Sequence, residues 1–134
     1  MEIIKFEELE HRLIKYQDRY VLVDRDVAQL YGVETRDINK AVANNPEKFP
    51  KGYIIELNED EKKELVENFH RFNKLKHSTV NPKVFTEKGL YMLATIIKSK
   101  VATQTTIKII ETTTKFEFNL GFAKVSRSIK KIKK

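Results

Sequence analysis

One stretch, residues 24–42, constrains the fold of this chain more than any other. Its first part places apolar residues at helical spacing, at Val27, Ala28 and Tyr31. Gly32 follows, and glycine can adopt the left-handed conformation that ends one helix and turns the chain into the next. Its second part repeats the helical spacing, at Ile38, Ala41 and Val42. A small residue at 28, glycine at 32 and a branched apolar residue at 38 form the spacing of a helix-turn-helix.

The same stretch predicts where the two helices begin and what the second one exposes. Asp24 and Thr35 are expected to cap the two helices, because their side-chain oxygens can accept backbone N–H groups of the first turn. The exposed face of the second helix then carries Arg36, Asn39, Lys40 and Asn44. Arginine and asparagine can form paired hydrogen bonds to guanine and adenine edges. The spacing is also compatible with a helical hairpin that only packs, in which Asp37 would repel phosphate.

The charge of the chain favours an anionic partner. Its 134 residues include 26 Lys plus Arg against 19 Asp plus Glu, so the net charge is +7. Nucleic acid is the first partner that such a charge suggests, and a membrane surface is the second. No apolar run reaches the length of a membrane span and no signal peptide is visible. We therefore expect a cytoplasmic protein without a membrane partner.

Residue types that carry catalysis or bind cofactors are sparse. The chain contains no cysteine, which excludes disulfides, thiolate zinc sites and cysteine nucleophiles. The histidines do not stand at metal-ligand spacing: His11, His70 and His77. Asp24 and Asp26 are two acids that a nuclease metal could use, but their place at a helix start fits capping and the helix dipole better. We expect no enzymatic activity, no metal and no cofactor.

The remaining patterns predict an α+β fold with a small antiparallel sheet. Residues 6–13 read as a short helix, and residues 14–16 and 20–23 read as two strands of a hairpin. Residues 53–57 read as a third strand, because Tyr53, Ile55 and Leu57 alternate with other residues and share one face. That strand is expected to pair with residues 20–23, which would complete a winged helix-turn-helix-like arrangement.

The second half of the chain carries further start signals for helices. Asn58 and Glu61 form a capping box for a helix, and Thr86 is expected to cap another after a strand at residues 83–85. Residues 70–81 read as a basic loop, which contains Arg71, Lys74, Lys76 and His77. That loop is either a solvated connection or an arm that contacts phosphates.

A final helix is predicted from about Val101, with Ile107 and Ile110 on its apolar stripe. Its threonine content lowers helix propensity, so packing would have to hold it. The stripe has little to pack against in one protomer, which makes the helix a candidate dimerisation element. We accordingly divide the chain into a DNA-binding domain, 1–100, and a C-terminal helix with a basic tail, 101–134. The tail from residue 122 is an amphipathic helix, a DNA-backbone arm or a frayed end.

Two segments of the chain resemble a known family. The first is VDRDVAQLYGVETRDINKAVANNPEKFPKGYIIELNEDE, and the second is FTEKGLYML, from Phe85 to Leu93. Both resemble the N-terminal domain of phage antirepressor-type regulators in the KilA-N and Bro-N superfamily. The closest pattern is that of the branch named after the N-terminal part of a phage "open reading frame six" product. The resemblance extends over residues 6–115.

The resemblance implies a DNA-binding transcriptional regulator of phage or prophage origin. In this hypothesis helix 35–44 enters the major groove and phosphates are held by basic residues around it. The expected DNA-binding residues are Thr35, Arg36, Asn39, Lys40, Asn44, Lys48, Lys51, Arg71, Lys74 and Lys76. The expected partners are double-stranded DNA, a second copy in a homodimer and a repressor protein. The alternative is a protein–protein interaction module that binds a repressor or another regulator without reading DNA.

Overall fold

The structure is a computed structural model that describes residues 6–118 and 128–129, in which six α-helices surround a five-stranded sheet. The helices are α1 (Phe6–Arg12), α2 (Asp24–Tyr31), α3 (Thr35–Ala43), α4 (Glu59–Asn68), α5 (Glu87–Ile97) and α6 (Lys100–Phe118). The strands are β1 (Ile14–Tyr16), β2 (Arg19–Val23), β3 (Ile54–Glu56), β4 (Lys83–Phe85) and β5 (Ser128–Ile129). The predicted α+β class is confirmed. None of the helices in these ranges has the length and apolar character needed to cross a membrane.

The sheet has the order β3-β4-β2-β1-β5, in which the first four strands are antiparallel and β5 runs parallel to β1. The expected pairing of β3 with β2 is therefore wrong, because β4 lies between them. Phe85 of β4 is opposite Leu22 of β2 on one side and Ile54 of β3 on the other. β4 takes the inner position because Val84 and Phe85 are both buried, each on its own face of the sheet.

Both faces of the sheet are covered, so the molecule has three layers. Side chains alternate along β2, with Tyr20 and Leu22 in one core and Val21 and Val23 in the other. The first core joins the sheet to α1, α2, α3, α5 and α6, through residues such as Leu9, Val27, Ile38, Leu93 and Ile109. The second core lies under α4 and the segment that follows it, with Leu57, Leu65, Phe72 and Leu75.

The segment that follows α4 is ordered secondary structure and not the loop that the sequence predicted. Residues His70–His77 form a 3-10 helix. Phe72 and Leu75 are three positions apart, which matches the repeat of a 3-10 helix, and both are buried in the second core. Lys74, which lies between them, and Lys76, which follows Leu75, are thereby left on the outside of this layer.

Of the four predicted N-cap residues, two occupy the cap position in the structure and two do not. The predicted caps of α4 and α5 are confirmed: the N–H of Glu61 donates to Asn58 Oδ1 at 2.8 Å, and the N–H of Gly89 donates to Thr86 Oγ1 at 3.4 Å. Asp24, however, is the first residue of α2, because β2 runs directly into the helix and Val23 takes the cap position.

Thr35 is likewise the first residue of α3 and not its cap. Glu34 occupies the cap position, and its N–H donates to Asp37 Oδ2 at 3.1 Å. This places the carboxylate of Asp37 at the positive end of the helix dipole, where an acid is stabilising.

Helix α6 packs with its threonine face inward, and part of its predicted apolar stripe stays outside. The buried residues on this helix are Ala102, Thr105, Thr106, Ile109, Thr112 and Thr113. Ile107 is 51% exposed. The buried hydroxyls find partners, since Thr106 hydrogen-bonds Tyr31 of α2 and Thr113 donates to Glu87 of α5. The alternatives for the tail from residue 122 lie outside the described residues, except at 128–129, where the backbone forms β5.

Candidate nucleic-acid interface

The turn between α2 and α3 has the geometry that the spacing around Gly32 predicted. Gly32 has a φ of +74° and ends α2 in the left-handed conformation. The N–H of Gly32 donates to Gln29 O at 3.3 Å, and the N–H of Val33 donates to Ala28 O at 2.9 Å. These bonds satisfy carbonyl groups at the end of α2 and turn the chain sharply into α3. The two predicted helices are therefore present and are joined by the glycine turn.

Helix α3 is attached to the body of the protein by a narrow strip. Ile38 is its one buried residue, with an exposed fraction of 0%. Ala41 and Val42 are partly buried and pack against the same core. Arg36, Asp37, Lys40 and Ala43 are exposed, so one side of α3 forms a ridge that a partner can reach.

Most of the predicted DNA-binding residues on and after α3 are accessible. Arg36, Lys40, Asn44, Lys48 and Lys51 are exposed, and Thr35 and Asn39 are half-buried. Among these, the guanidinium of Arg36 contacts Glu34 at 3.0 Å, but the two side chains are 83% and 69% exposed. An ion pair this exposed is weak, so Arg36 can exchange it for a stronger partner.

Two details refine what α3 can recognise. The side-chain oxygen of Asn39 is buried and has no hydrogen-bond partner among the described residues. A paired contact to adenine needs both the oxygen and the amide nitrogen, so it would require Asn39 to rotate. The carboxylate of Asp37, which the sequence suggested would repel phosphate, is engaged at the start of the helix.

Arg25 is a residue that the sequence reasoning did not single out. It is exposed at the start of α2, one residue before the buried Asp26. The first helix of a helix-turn-helix crosses the DNA backbone, so an exposed cation at this position is suited to a phosphate. Its place on the helix preceding the glycine turn is the signal that could have identified it.

Lys74 and Lys76 do not lie beside α3. Both are exposed on the 3-10 helix whose Phe72 and Leu75 pack on the second face of the sheet. Helix α3 packs on the first face through Ile38. The structure thus separates the predicted cations into one group at α3 and a second group in the opposite layer.

Arg71 belongs to that second group but is engaged within the protein. Its Nε and Nη2 donate to the two carboxylate oxygens of Asp26 at 3.2 and 2.8 Å, and its guanidinium lies 4.6 Å from the centre of the Phe72 ring. Arg12 Nη1 donates to the same carboxylate at 3.2 Å. Asp26 is only 2% exposed and therefore joins α1, α2 and the 3-10 helix.

The described residues contain no group of His, Cys, Asp or Glu side chains that could hold a metal ion. The two acids at the start of α2 both accept hydrogen bonds from other parts of the protein. Asp26 is bound by the two arginines, and Asp24 accepts the backbone N–H of Lys83 at 3.4 Å. Burial raises the pKa of Asp24, which does not favour the doubly ionised pair that a catalytic metal would need.

A family comparison matches this architecture. The model of the ORF6N domain matches residues 11–96, which is more than half of the chain. The chain belongs to the ORF6N family. The ORF6N region includes β1 to β4, the α2–α3 pair and nearly all of α5, and it leaves α6 outside. Comparisons with curated proteins and with solved structures found no match. The ORF6N match agrees with the phage-type regulatory family that the sequence resemblance indicated.

Proposed function

We propose that this ORF6N domain is a DNA-binding transcriptional regulator of antirepressor type, from a phage or prophage, and that α3 enters the major groove. The observation that carries this proposal is that Ile38 is the one fully buried residue of α3, while Arg36 and Lys40 are exposed. A major groove about 12 Å wide accepts one α-helix. Because α3 projects from the core, it can enter the groove without any unfolding of the domain.

The proposal assigns some polar and basic residues to the bases and others to the phosphates. Arg36, Asn39 and Lys40 reach base edges, where sequence is read. Lys48 and Lys51, which follow α3 and are exposed, hold phosphates on the same side of the molecule. Lys74 and Lys76 lie in the opposite layer, farther from α3. We therefore propose that they make fewer phosphate contacts than Lys48 and Lys51.

The test is binding to a pool of random-sequence DNA duplexes at several salt concentrations, followed by sequencing of the retained duplexes. We expect wild-type affinity to fall steeply with salt. The variant Arg36→Ala plus Lys40→Ala should lose about 10- to 100-fold in affinity for the selected sequences, because bidentate base contacts each discriminate by about 1–3 kcal/mol. The variant Lys48→Ala plus Lys51→Ala should instead reduce the slope of the logarithm of the binding constant against the logarithm of the salt concentration by about two.

The matched control is Lys74→Ala plus Lys76→Ala, which removes the same charge from the opposite layer. We expect its affinity to fall much less than that of either α3-side variant. Equal losses in all three variants would mean that binding follows net charge and that α3 does not read DNA. If the wild type retains no duplex at low salt, the DNA proposal fails and the repressor-binding alternative replaces it.

A further inference from the structure

The residues that the structure describes leave an apolar surface on α5 and α6 uncovered. We define the α5–α6 patch as Tyr91 and Met92 of α5 with Ile107 and Ile110 of α6. Tyr91 is 64% and Ile107 is 51% exposed. Tyr91, Met92 and Ile110 line one shallow groove of about 370 Å³. Of the three large exposed hydrophobic residues in the described part of the chain, two belong to this patch.

The orientation of α6 is the reason that the patch exists. The helix turns Thr105, Thr106, Thr112 and Thr113 into the protein, although Ile107 and Ile110 are better suited to burial. The buried hydroxyls are held by specific partners, such as Tyr31 for Thr106. These contacts fix which face of α6 points inward, so Ile107 is left exposed and Ile110 is left half-buried.

The charges around the patch are balanced, unlike those of the whole chain. Glu87 and Lys88 line its groove, and Lys108 and Glu111 directly follow Ile107 and Ile110 on α6. The chain as a whole has a net charge of +7, so a surface with equal numbers of acids and lysines repels a second copy less than the average surface does. Within the described residues neither Lys108 nor Glu111 forms an ion pair. They are three positions apart on α6 and are free to pair with a neighbouring molecule.

We propose that the α5–α6 patch is the interface of a symmetric homodimer, in which α6 crosses the α6 of a second copy in antiparallel orientation. Ile107 of each copy then packs against Ile110 of the other, and Lys108 of each copy pairs with Glu111 of the other. Because the two-fold axis uses the same surface of both copies, the Lys108–Glu111 pair occurs twice in the interface. Dimerisation itself does not depend on DNA, whereas the presentation of two α3 helices to two half-sites rests on the proposed function.

The first experiment measures the mass of the full chain in solution by sedimentation equilibrium, without DNA. We expect a concentration-dependent dimer for the wild type and a monomer for Tyr91→Glu plus Ile107→Glu. Val80→Glu is the matched control, since Val80 is 61% exposed but lies outside the patch. That variant should dimerise like the wild type. Circular dichroism checks that all three proteins are folded.

The second experiment tests the geometry by charge exchange. Lys108→Glu leaves only acids at the two α6 positions and Glu111→Lys leaves only lysines, so each variant alone should self-associate at least about tenfold more weakly. Mixed together, the two variants should form a heterodimer, and the double exchange in one chain should restore the homodimer. A monomeric wild type, or a patch variant that dimerises like the wild type, overturns the proposal. Neither result bears on DNA binding, which the duplex experiment measures separately.

Discussion

At the scale of single residues, the two acids at the start of α2 show how differently similar side chains can contribute. Asp26 is buried and accepts hydrogen bonds from Arg71 and Arg12. Asp24 is buried nearly as deeply, at 5% exposed, and its carboxylate accepts the N–H of Lys83 at 3.4 Å. Burial raises the pKa of Asp24 above its ordinary value of 3.8, against the opposing effects of the Lys83 N–H and of the Arg25 charge.

We predict that replacing these acids by asparagine has opposite effects on stability. Asp26→Asn should lower the free energy of unfolding by about 2–3 kcal/mol, because the arginines lose a buried partner while staying partly exposed. The raised pKa of Asp24 favours the native state only while the carboxyl is protonated, and this contribution is lost as the pH rises from about 3.8 through the folded pKa. Asp24→Asn should therefore gain stability relative to the wild type between about pH 4 and pH 7.

Urea denaturation followed by circular dichroism at both pH values measures these differences. Asp60→Asn is the control, since Asp60 is an exposed acid in the first turn of α4 and should change stability little. A constant difference between Asp24→Asn and the wild type across this pH range would contradict the assignment for Asp24.

At the scale of elements, the start of α5 explains the motif FTEKG. Thr86 donates its N–H to Tyr53 O at 3.1 Å and its hydroxyl to Gly52 O at 2.7 Å. A Cβ on Gly89 would lie 2.1 Å from the same Tyr53 oxygen. The motif therefore docks the N-terminus of α5 onto the chain that enters β3. Its threonine and glycine serve the packing of two elements that are distant in sequence.

We predict that Gly89→Ala lowers the free energy of unfolding by about 3 kcal/mol, because a backbone oxygen blocks the added methyl group and β3 must shift. Gly32→Ala is the comparison, since Gly32 has a positive φ but no atom within 4 Å of the added Cβ. Its cost should be about 1 kcal/mol, which is the strain of a left-handed residue alone. Denaturant unfolding of both variants measures the difference. A smaller loss for Gly89→Ala than for Gly32→Ala would rule out the close approach as the dominant effect.

At the scale of the whole molecule, α6 is part of the same core as the helix-turn-helix pair, although it lies outside the ORF6N match. Ala102 and Ile109 are buried beside Val27 and Tyr31 of α2. The Thr106 hydroxyl also hydrogen-bonds Tyr31. A domain with such a shared core is expected to unfold in one transition.

We predict that Ile109→Ala lowers the stability of the entire domain by about 2–4 kcal/mol, because it removes a buried aliphatic side chain. Ile107→Ala removes the same atoms from an exposed position on the same helix and should cost far less. Both variants are compared by denaturant unfolding at protein concentrations too low for association. If α6 were an independent appendage, Ile109→Ala would leave the main transition at its wild-type midpoint.

The sequence by itself determined the features that depend on neighbouring residues. The turn at Gly32, the caps at Asn58 and Thr86, and the exposure of Arg36 and Lys40 on α3 all follow from side chains within one or two helical turns. Local spacing sets which residues share a helical face. It can therefore be read from the chain directly.

Only the tertiary structure decided the features that depend on contacts between distant segments. The sequence suggests that Arg71 is available to phosphates, but in the fold its guanidinium binds Asp26, which is 45 residues away. Lys74 and Lys76 lie in the opposite layer because Phe72 and Leu75 of the same 3-10 helix pack on the second face of the sheet. The inward face of α6 was likewise set by Tyr31 and Glu87, which lie on other helices. Periodicity shows that a helix has two faces, but the partner available in the folded chain decides which one is buried.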